Sequence, residues 1–189
     1  FDDTLTRWDL ATSDRAFKVG GVVERIMGCV AFRNTVRFSS DGSWFVAPFH
    51  DFTVSLRDSD DGGVIHEFPP HLSTVLDLAI SPTDDLLVTS SDDWTVRVWN
   101  LDDYTLRSEF ETAPGGYVTI GFLPDGESML VTDVSGAIRR LDLESGAVSE
   151  PFTSDAAPGV RMAISPDGRY VAAGTDTNTI GVWDIDSGV

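Results

Sequence analysis

The chain has 189 residues, 41% of them hydrophobic, which is enough for a sizeable core and unlike a disordered segment or a membrane protein. Its formal net charge is -18, from 31 acidic against 13 basic residues, so its surface repels phosphate backbones and anionic lipid. Nucleic acid and membrane are therefore excluded as expected partners.

Cys29 is the single cysteine, which leaves no disulfide framework and no cysteine metal cluster, and it suits a reducing cytoplasm, the expected location. It reads as a small buried apolar residue. Lys18 is the only lysine, a balance that fits either a high-salt cell or a GC-rich genome. The apolar runs fall far short of the roughly 20 residues needed to cross a bilayer. No basic start followed by an apolar segment marks a signal peptide. Because the first residue is Phe1 rather than Met, the chain is expected to be a piece of a longer one.

In chain order, Leu5 to Asp9 and Ala16 to Val19 read as two strands. Strands are next expected over 34–39, 44–49, 53–58 and 64–68. Val75 to Ile80 is apolar and leads into the turn Ser81-Pro82-Thr83-Asp84; Leu86 to Thr89 follows, then the turn Ser91-Asp92-Asp93-Trp94. Thr95-Val96-Arg97-Val98-Trp99 alternates with the period of a strand, and Tyr104 to Phe110 makes a fourth. Turn formers every 8 to 12 residues exclude a helical reading.

The same order returns after 42 residues. Phe38-Ser39-Ser40-Asp41-Gly42, Ile80-Ser81-Pro82-Thr83-Asp84, Phe122-Leu123-Pro124-Asp125-Gly126 and Ile164-Ser165-Pro166-Asp167-Gly168 fall at that interval. So do Arg57-Asp58, Trp99-Asn100, Leu141-Asp142 and Trp183-Asp184, and the single residues Phe68, Phe110 and Phe152. Four short strands in 42 residues is the unit of a propeller blade. The strands of later units are expected at 42-residue steps from those of the first.

These residues resemble the WD-repeat family of β-propellers. The second unit carries the likeness most clearly, in His71, Leu78-Ala79-Ile80-Ser81-Pro82 and Asp92-Asp93-Trp94-Thr95-Val96-Arg97-Val98-Trp99-Asn100. Thr4 to Leu10 looks like the end of an earlier unit. The resemblance implies an all-β fold of four-stranded antiparallel blades, about four and a half repeats, belonging to a larger propeller. One propeller segment over 1–189 is expected: the end of a preceding blade plus linker at 1–27, blades at 28–69, 70–111 and 112–153, and an incomplete blade at 154–189. The segment is not expected to close into a ring by itself, so its blade edges are open to self-association.

The resemblance also implies a hydrogen-bonded chain inside the second blade: His71, Thr89 or Ser90, Asp93 and Trp99. Such a network holds one strand register when every member is satisfied. Elsewhere the pattern lapses. Arg57, Leu141 and Trp183 stand in the place of Trp99, and Asp51, Ser135 and Thr177 in that of Asp93.

Phe52, Trp94, Gly136 and Asn178 occupy one equivalent turn position, after the second strand. Two large rings in exposed turns are a mark of an interface, and the competing reading folds each ring onto its own blade. Phe52, Trp94, Asp92 and Asp176 are thus the candidate partner-binding residues, and their aromatic and acidic character suits a basic partner protein. Trp44, in a strand, reads as core.

Signs of chemistry are few. Asp58-Ser59-Asp60-Asp61-Gly62-Gly63 is faintly like a calcium loop, but Gly62 and Pro69 stand where oxygen ligands are needed, so it reads as a turn. His50, His66 and His71 show no zinc spacing, and no nucleophile, phosphate-loop or dinucleotide motif is present. The reading is a non-catalytic interaction scaffold or sensor segment of a larger protein, with no catalytic residue, metal or cofactor. The alternative is a propeller enzyme holding a metal or small substrate in its central channel.

Overall fold

The structure, a computed structural model, describes residues 4–8, 15–20, 36–112, 116–151, 161–174 and 179–187. These residues are all-β and contain no helix. β1 (Thr4–Trp8) and β2 (Arg15–Gly20) form an antiparallel pair. β3 (Arg37–Phe38), β4 (Trp44–Pro48), β5 (Val54–Asp58) and β6 (Val64–Phe68) make a four-stranded meander. β7 (Val75–Ile80), β8 (Leu86–Ser91), β9 (Thr95–Asn100) and β10 (Leu106–Glu111) repeat it. Two three-stranded sheets follow: β11 (Tyr117–Phe122), β12 (Ser128–Asp133) and β13 (Ile138–Asp142), then β14 (Met162–Ile164), β15 (Tyr170–Gly174) and β16 (Ile180–Asp184). The chain divides into two compact units, residues 1–75 and 76–189, and each is described by itself.

The strands sit where the 42-residue register places them, with two differences. β3 is only two residues long, and the expected start of its strand at 34 lies outside the described residues. Of the strand expected near 148–152, the described residues 148–151 show only an isolated bridge, between Leu141 and Val148, and residue 152 lies outside them. The cause is local: Pro151 stands where the outer strands of the first two blades have Glu67 and Glu109, and proline has no N–H to give a ladder.

Backbone conformation carries the period as firmly as sequence does. Positive φ angles occur at Gly42, Asp84, Gly126 and Gly168, in the first turn of each sheet. They recur at Phe52, Trp94 and Gly136 in the second turn, and at Gly62, Tyr104 and Gly146 in the third. Each hairpin closes through a tight turn whose last residue is left-handed, a conformation glycine adopts freely. The hydrogen bonds agree: the N–H groups of Gly42, Phe52, Asp84, Trp94, Gly126, Gly136 and Gly168 each donate to the carbonyl three residues back.

Sheets pack face to face through a repeated set of apolar positions. Within residues 76–189, Ala79, Leu86, Val88, Val96 and Val98 of one blade form a core with Ile120, Met129, Val131, Leu141 and Leu143 of the next. Leu130 and Ile138 on that blade's other face then meet Val171, Ala173 and Ile185, with Met162, Ile164 and Trp183 against them. Within residues 1–75, Phe45 and Ala47 pack with Val19, Val36 and Phe49. Middle strands are covered on both sides, so every residue of β8 is buried.

Candidate interaction turns

An antiparallel meander puts its second turn and its exit at the same end of the sheet. The first and third turns lie at the opposite end. The carbonyl of Trp94 accepts hydrogen bonds from Thr112 N (2.7 Å) and Thr112 Oγ1 (3.0 Å), just past β10. In the preceding blade the carbonyl of Phe52 accepts from His71 N at 3.1 Å. The second turn is thereby tied to the segment that leaves the blade.

Both rings stand at the left-handed position. Phe52 has φ 67° and Trp94 φ 69°, where the third blade has Gly136. A bulky residue there is strained by about 1–2 kcal/mol. Neither ring is recovered as core: Trp94 is 50% exposed and Phe52 36%. The turns themselves are secured by the carboxylates of the residues just before the rings. Asp93 Oδ1 accepts from Thr95 N (3.0 Å) and Thr95 Oγ1 (2.7 Å), and Asp51 Oδ1 does the same for Thr53 (3.1 and 2.6 Å). Asp92 is exposed in the same turn as Trp94, while Asp176 and Asn178 lie outside the described residues.

Sequence reasoning missed two residues, one at this end of its own blade in each unit. Leu72, next to His71, is almost wholly exposed, and Val134, one residue before Ser135 in the third blade's turn, is half-exposed. Both are apolar residues outside the strands, but neither stands at the turn position that singled out the rings. Trp44 is half-buried at the start of β4, and Cys29 lies outside the described residues.

Of the residues assigned to the internal network, Trp99 Nε1 donates to Thr89 Oγ1 at 3.4 Å, both residues being buried. Ser90 Oγ donates instead to the carbonyl of Asp77 at 3.4 Å. Asp93 serves its own turn, as above, and His71 is buried with its N–H on Phe52. In the first blade Arg57 takes the place of Trp99. Its Nε donates to Ser55 Oγ (2.8 Å), one Nη donates to the carbonyl of Gly62 (2.9 Å), and the guanidinium lies 4.9 Å from the Phe49 ring centroid.

Asp77 is a further residue that the sequence reading passed over, hidden in the apolar run of β7. It is buried; Oδ1 accepts from Leu78 N (3.0 Å) and Oδ2 from Ile120 N in the next blade (3.1 Å). The carboxylate thus pins one blade to its neighbour. Asp77→Ala is expected to lower stability by about 2 kcal/mol, because it leaves a buried N–H unpaired. Asp77→Asn, whose amide oxygen can still accept, should recover part of that loss in urea titrations.

At the opposite end, aspartates cap the first and third turns. Asp41 Oδ1 accepts from Ser39 Oγ, Ser43 N and Ser43 Oγ at 2.7–2.9 Å, and the bonds from Ser43 lead in drawing its pKa down to about 2. Hydrogen bonds from Ser81 and Thr83 lower Asp85, those from Thr105 lower Asp103, and those from Ser145 lower Asp142. A cleft of about 400 Å³ opens here between the second and third blades, lined by Asp85, Arg107, Asp125, Asp142 and Glu144 among others. Much of the acidic excess is therefore turn chemistry.

A pH dependence follows. These carboxyls are more acidic folded than unfolded, so their contribution is complete above the unfolded value near 4 and disappears as pH falls through the folded values. In salt sufficient to screen the net charge, the urea midpoint should be level from about pH 7 to 5 and fall between about pH 4 and 2. A midpoint that rises below about pH 4 would contradict the assignment.

Among the described residues, no group of three or more His, Cys, Asp or Glu side chains is placed to hold a metal ion. Asp58 to Gly63 forms the turn between β5 and β6, in which Asp58 Oδ1 accepts from Asp60 N and Asp61 Oδ1 from Gly63 N. His66 stacks edge-on with Phe68, their ring centroids 4.8 Å apart.

Comparison with known proteins agrees with this geometry. The family WD domain, G-beta repeat matches residues 62–100 and 154–184. WD repeat and HMG-box DNA-binding protein 1 of Mus musculus is 30% identical over 166 residues, covering 82% of this chain and 15% of the relative. Pre-mRNA-processing factor 17 of Saccharomyces cerevisiae is 26% identical, over 71% of this chain and 33% of the relative. Actin-interacting protein 1 of Drosophila melanogaster is 28% identical, over 83% and 26%. The chain thus spans a third or less of each. With the 42-residue register, the antiparallel meanders and two family matches in agreement, this chain is built of WD repeats and belongs to the WD-repeat proteins.

Proposed function

We propose that the chain is a non-catalytic protein-interaction module that captures its partner on the turns between second and third strands. Trp94 with Asp92 serves in one repeat and Phe52 in another, and Asp176 is the acidic member of the fourth. The observation that carries this reading is the presence of two large exposed rings at positions where glycine would be unstrained. Strain kept at a surface turn without a packing return points to use of the side chain.

The partner is a protein with arginine or lysine at its contact. An exposed aspartate, Asp92, and an exposed indole in one turn suit a guanidinium through charge and cation–π attraction. One relative is named for interaction with actin and another for binding DNA. The net charge of -18 favours protein over DNA as the direct ligand here. In a larger protein, such a module would serve as scaffold or sensor.

The test is selection of peptides from a random displayed library against the chain. Selected peptides should be rich in arginine or lysine. Phe52→Ala with Trp94→Ala should weaken them by more than about 2 kcal/mol, over roughly thirtyfold, with the thermal midpoint nearly unchanged. If the midpoint collapses, the rings are core; if binding persists, the face is elsewhere.

A further inference from the structure

Asp41-Gly42, Asp61-Gly62, Asp125-Gly126 and Asp167-Gly168 place the same dipeptide in a hairpin turn. Their backbones are nearly alike. The glycines have φ 74°, 74°, 69° and 70°, and each donates its N–H to a carbonyl at the start of its own turn. In every case the aspartate Oδ1 accepts from the N–H two residues on, that of Ser43, Gly63, Glu127 or Arg169.

The turns differ in what else holds the carboxyl. Asp41 also accepts from Ser39 Oγ and Ser43 Oγ. Asp125 accepts from Ser128 N, Ser128 Oγ and Arg140 Nη2, and Asp167 from Ser165 Oγ. Among the described residues, Asp61 accepts only from Gly63 N, at 2.7 Å. Its carboxyl also lies closely over the backbone that follows: a Cβ on Gly63 would stand 2.8 Å from Oδ1 and 3.5 Å from Cγ. The other three turns carry a side chain at that position.

We infer that Asp61 is a site of spontaneous covalent modification, isomerising to isoaspartate through the nitrogen of Gly62. The nitrogen attacks Cγ of the aspartic acid form. An N–C bond forms, a C–O bond breaks, and the amide proton and the carboxyl hydroxyl leave as one water. The succinimide then takes a water back at either carbonyl. Opening at Cγ restores aspartate, while opening at the main-chain carbonyl leaves the backbone running through Cβ and Cγ. Mass is unchanged, and no oxidant or further reactant enters. A glycine after the aspartate leaves the attacking nitrogen without a neighbouring Cβ. Hydrogen bonds from hydroxyls and a guanidinium favour the ionised form and fix it, which slows the other three carboxyls. The product would disturb its own blade, because the carbonyl of Gly62 accepts from Arg57 Nη1 at 2.9 Å.

Peptide mapping tests this. The folded chain is held at neutral pH and body temperature for weeks, digested, and each Asp-Gly peptide is separated from its isomer of equal mass. Electron-transfer fragmentation then locates the isoaspartate. The isomer should accumulate at Asp61 several-fold faster than in the other three turns, and Asp61→Glu should remove it. In urea, where the tethers are lost, the four rates should converge. No isomer at Asp61 in the folded chain, or an equal or faster rate at another of the four, overturns the inference. A lead at Asp61 that persists undiminished in urea also overturns it, since local sequence rather than the fold would then set the rate.

Discussion

Trp94→Gly should raise the thermal midpoint of the chain while largely abolishing partner capture. The indole sits at φ 69°, which costs a non-glycine residue about 1–2 kcal/mol, and glycine returns about 0.5–1 kcal/mol of that through its freer unfolded state. The net gain is about 0.5–1 kcal/mol, visible as a shift of a few degrees. Loss of an exposed ring at the centre of an interface is larger, about 2 kcal/mol or more in binding. The two effects have opposite signs, and that opposition is the diagnostic. A side chain that held the fold would lose stability when removed. Calorimetry and titration of a selected peptide, run on the same preparation, separate the readings. A destabilised Trp94→Gly would mean that the ring contributes packing beyond its half-exposed placement.

The second large effect contrasts one repeat position in two blades. Ile138→Ala should cost about 3 kcal/mol, in the range for truncating a buried isoleucine that cannot collapse around the gap. Ile138 lies in the core with Leu123, Leu130, Val171 and Ala173. Ile180→Ala, identical in chemistry and one period later, should fall within about 0.5 kcal/mol of the parent, as exposed sites do. Urea midpoints measured on the two variants give the difference directly. Comparable losses at both positions would mean that Ile180 is covered in solution.

Much of the fold was legible because its determinants are local. A turn needs its aspartate and its left-handed residue within four positions, and Asp41-Gly42, Asp125-Gly126 and Asp167-Gly168 show both in the sequence. Alternation in Thr95 to Trp99 is equally local. The exceptions have the same origin in reverse. Asp77 looks like an interruption of an apolar strand, and its purpose appears only when Ile120 N, 43 residues away, is brought to its Oδ2. Leu72 and Val134 gave no periodic signal, because exposure depends on where the meander exits. Trp94 was singled out as an equivalent turn residue, but its strained backbone could be known only from coordinates. Arg57 illustrates a substitution whose compensation, bonds to Ser55 and Gly62 and contact with Phe49, lies within one sheet yet follows no family pattern.

The ten-residue step from one left-handed turn to the next also governs how the chain acquires its structure. Pairing Thr4 with Gly20, or Thr95 with Glu111, closes a loop of only 16 residues. Hairpins of that reach form in roughly 1–10 μs, long before a sandwich of similar size could bring its distant strands together. Each sheet can therefore assemble from neighbours in sequence, with packing on the next sheet as the slower event that makes it permanent. Folding becomes a propagation along the chain, in which a blade with a poorly closing outer strand, like the one bearing Pro151, is the natural place for the process to pause.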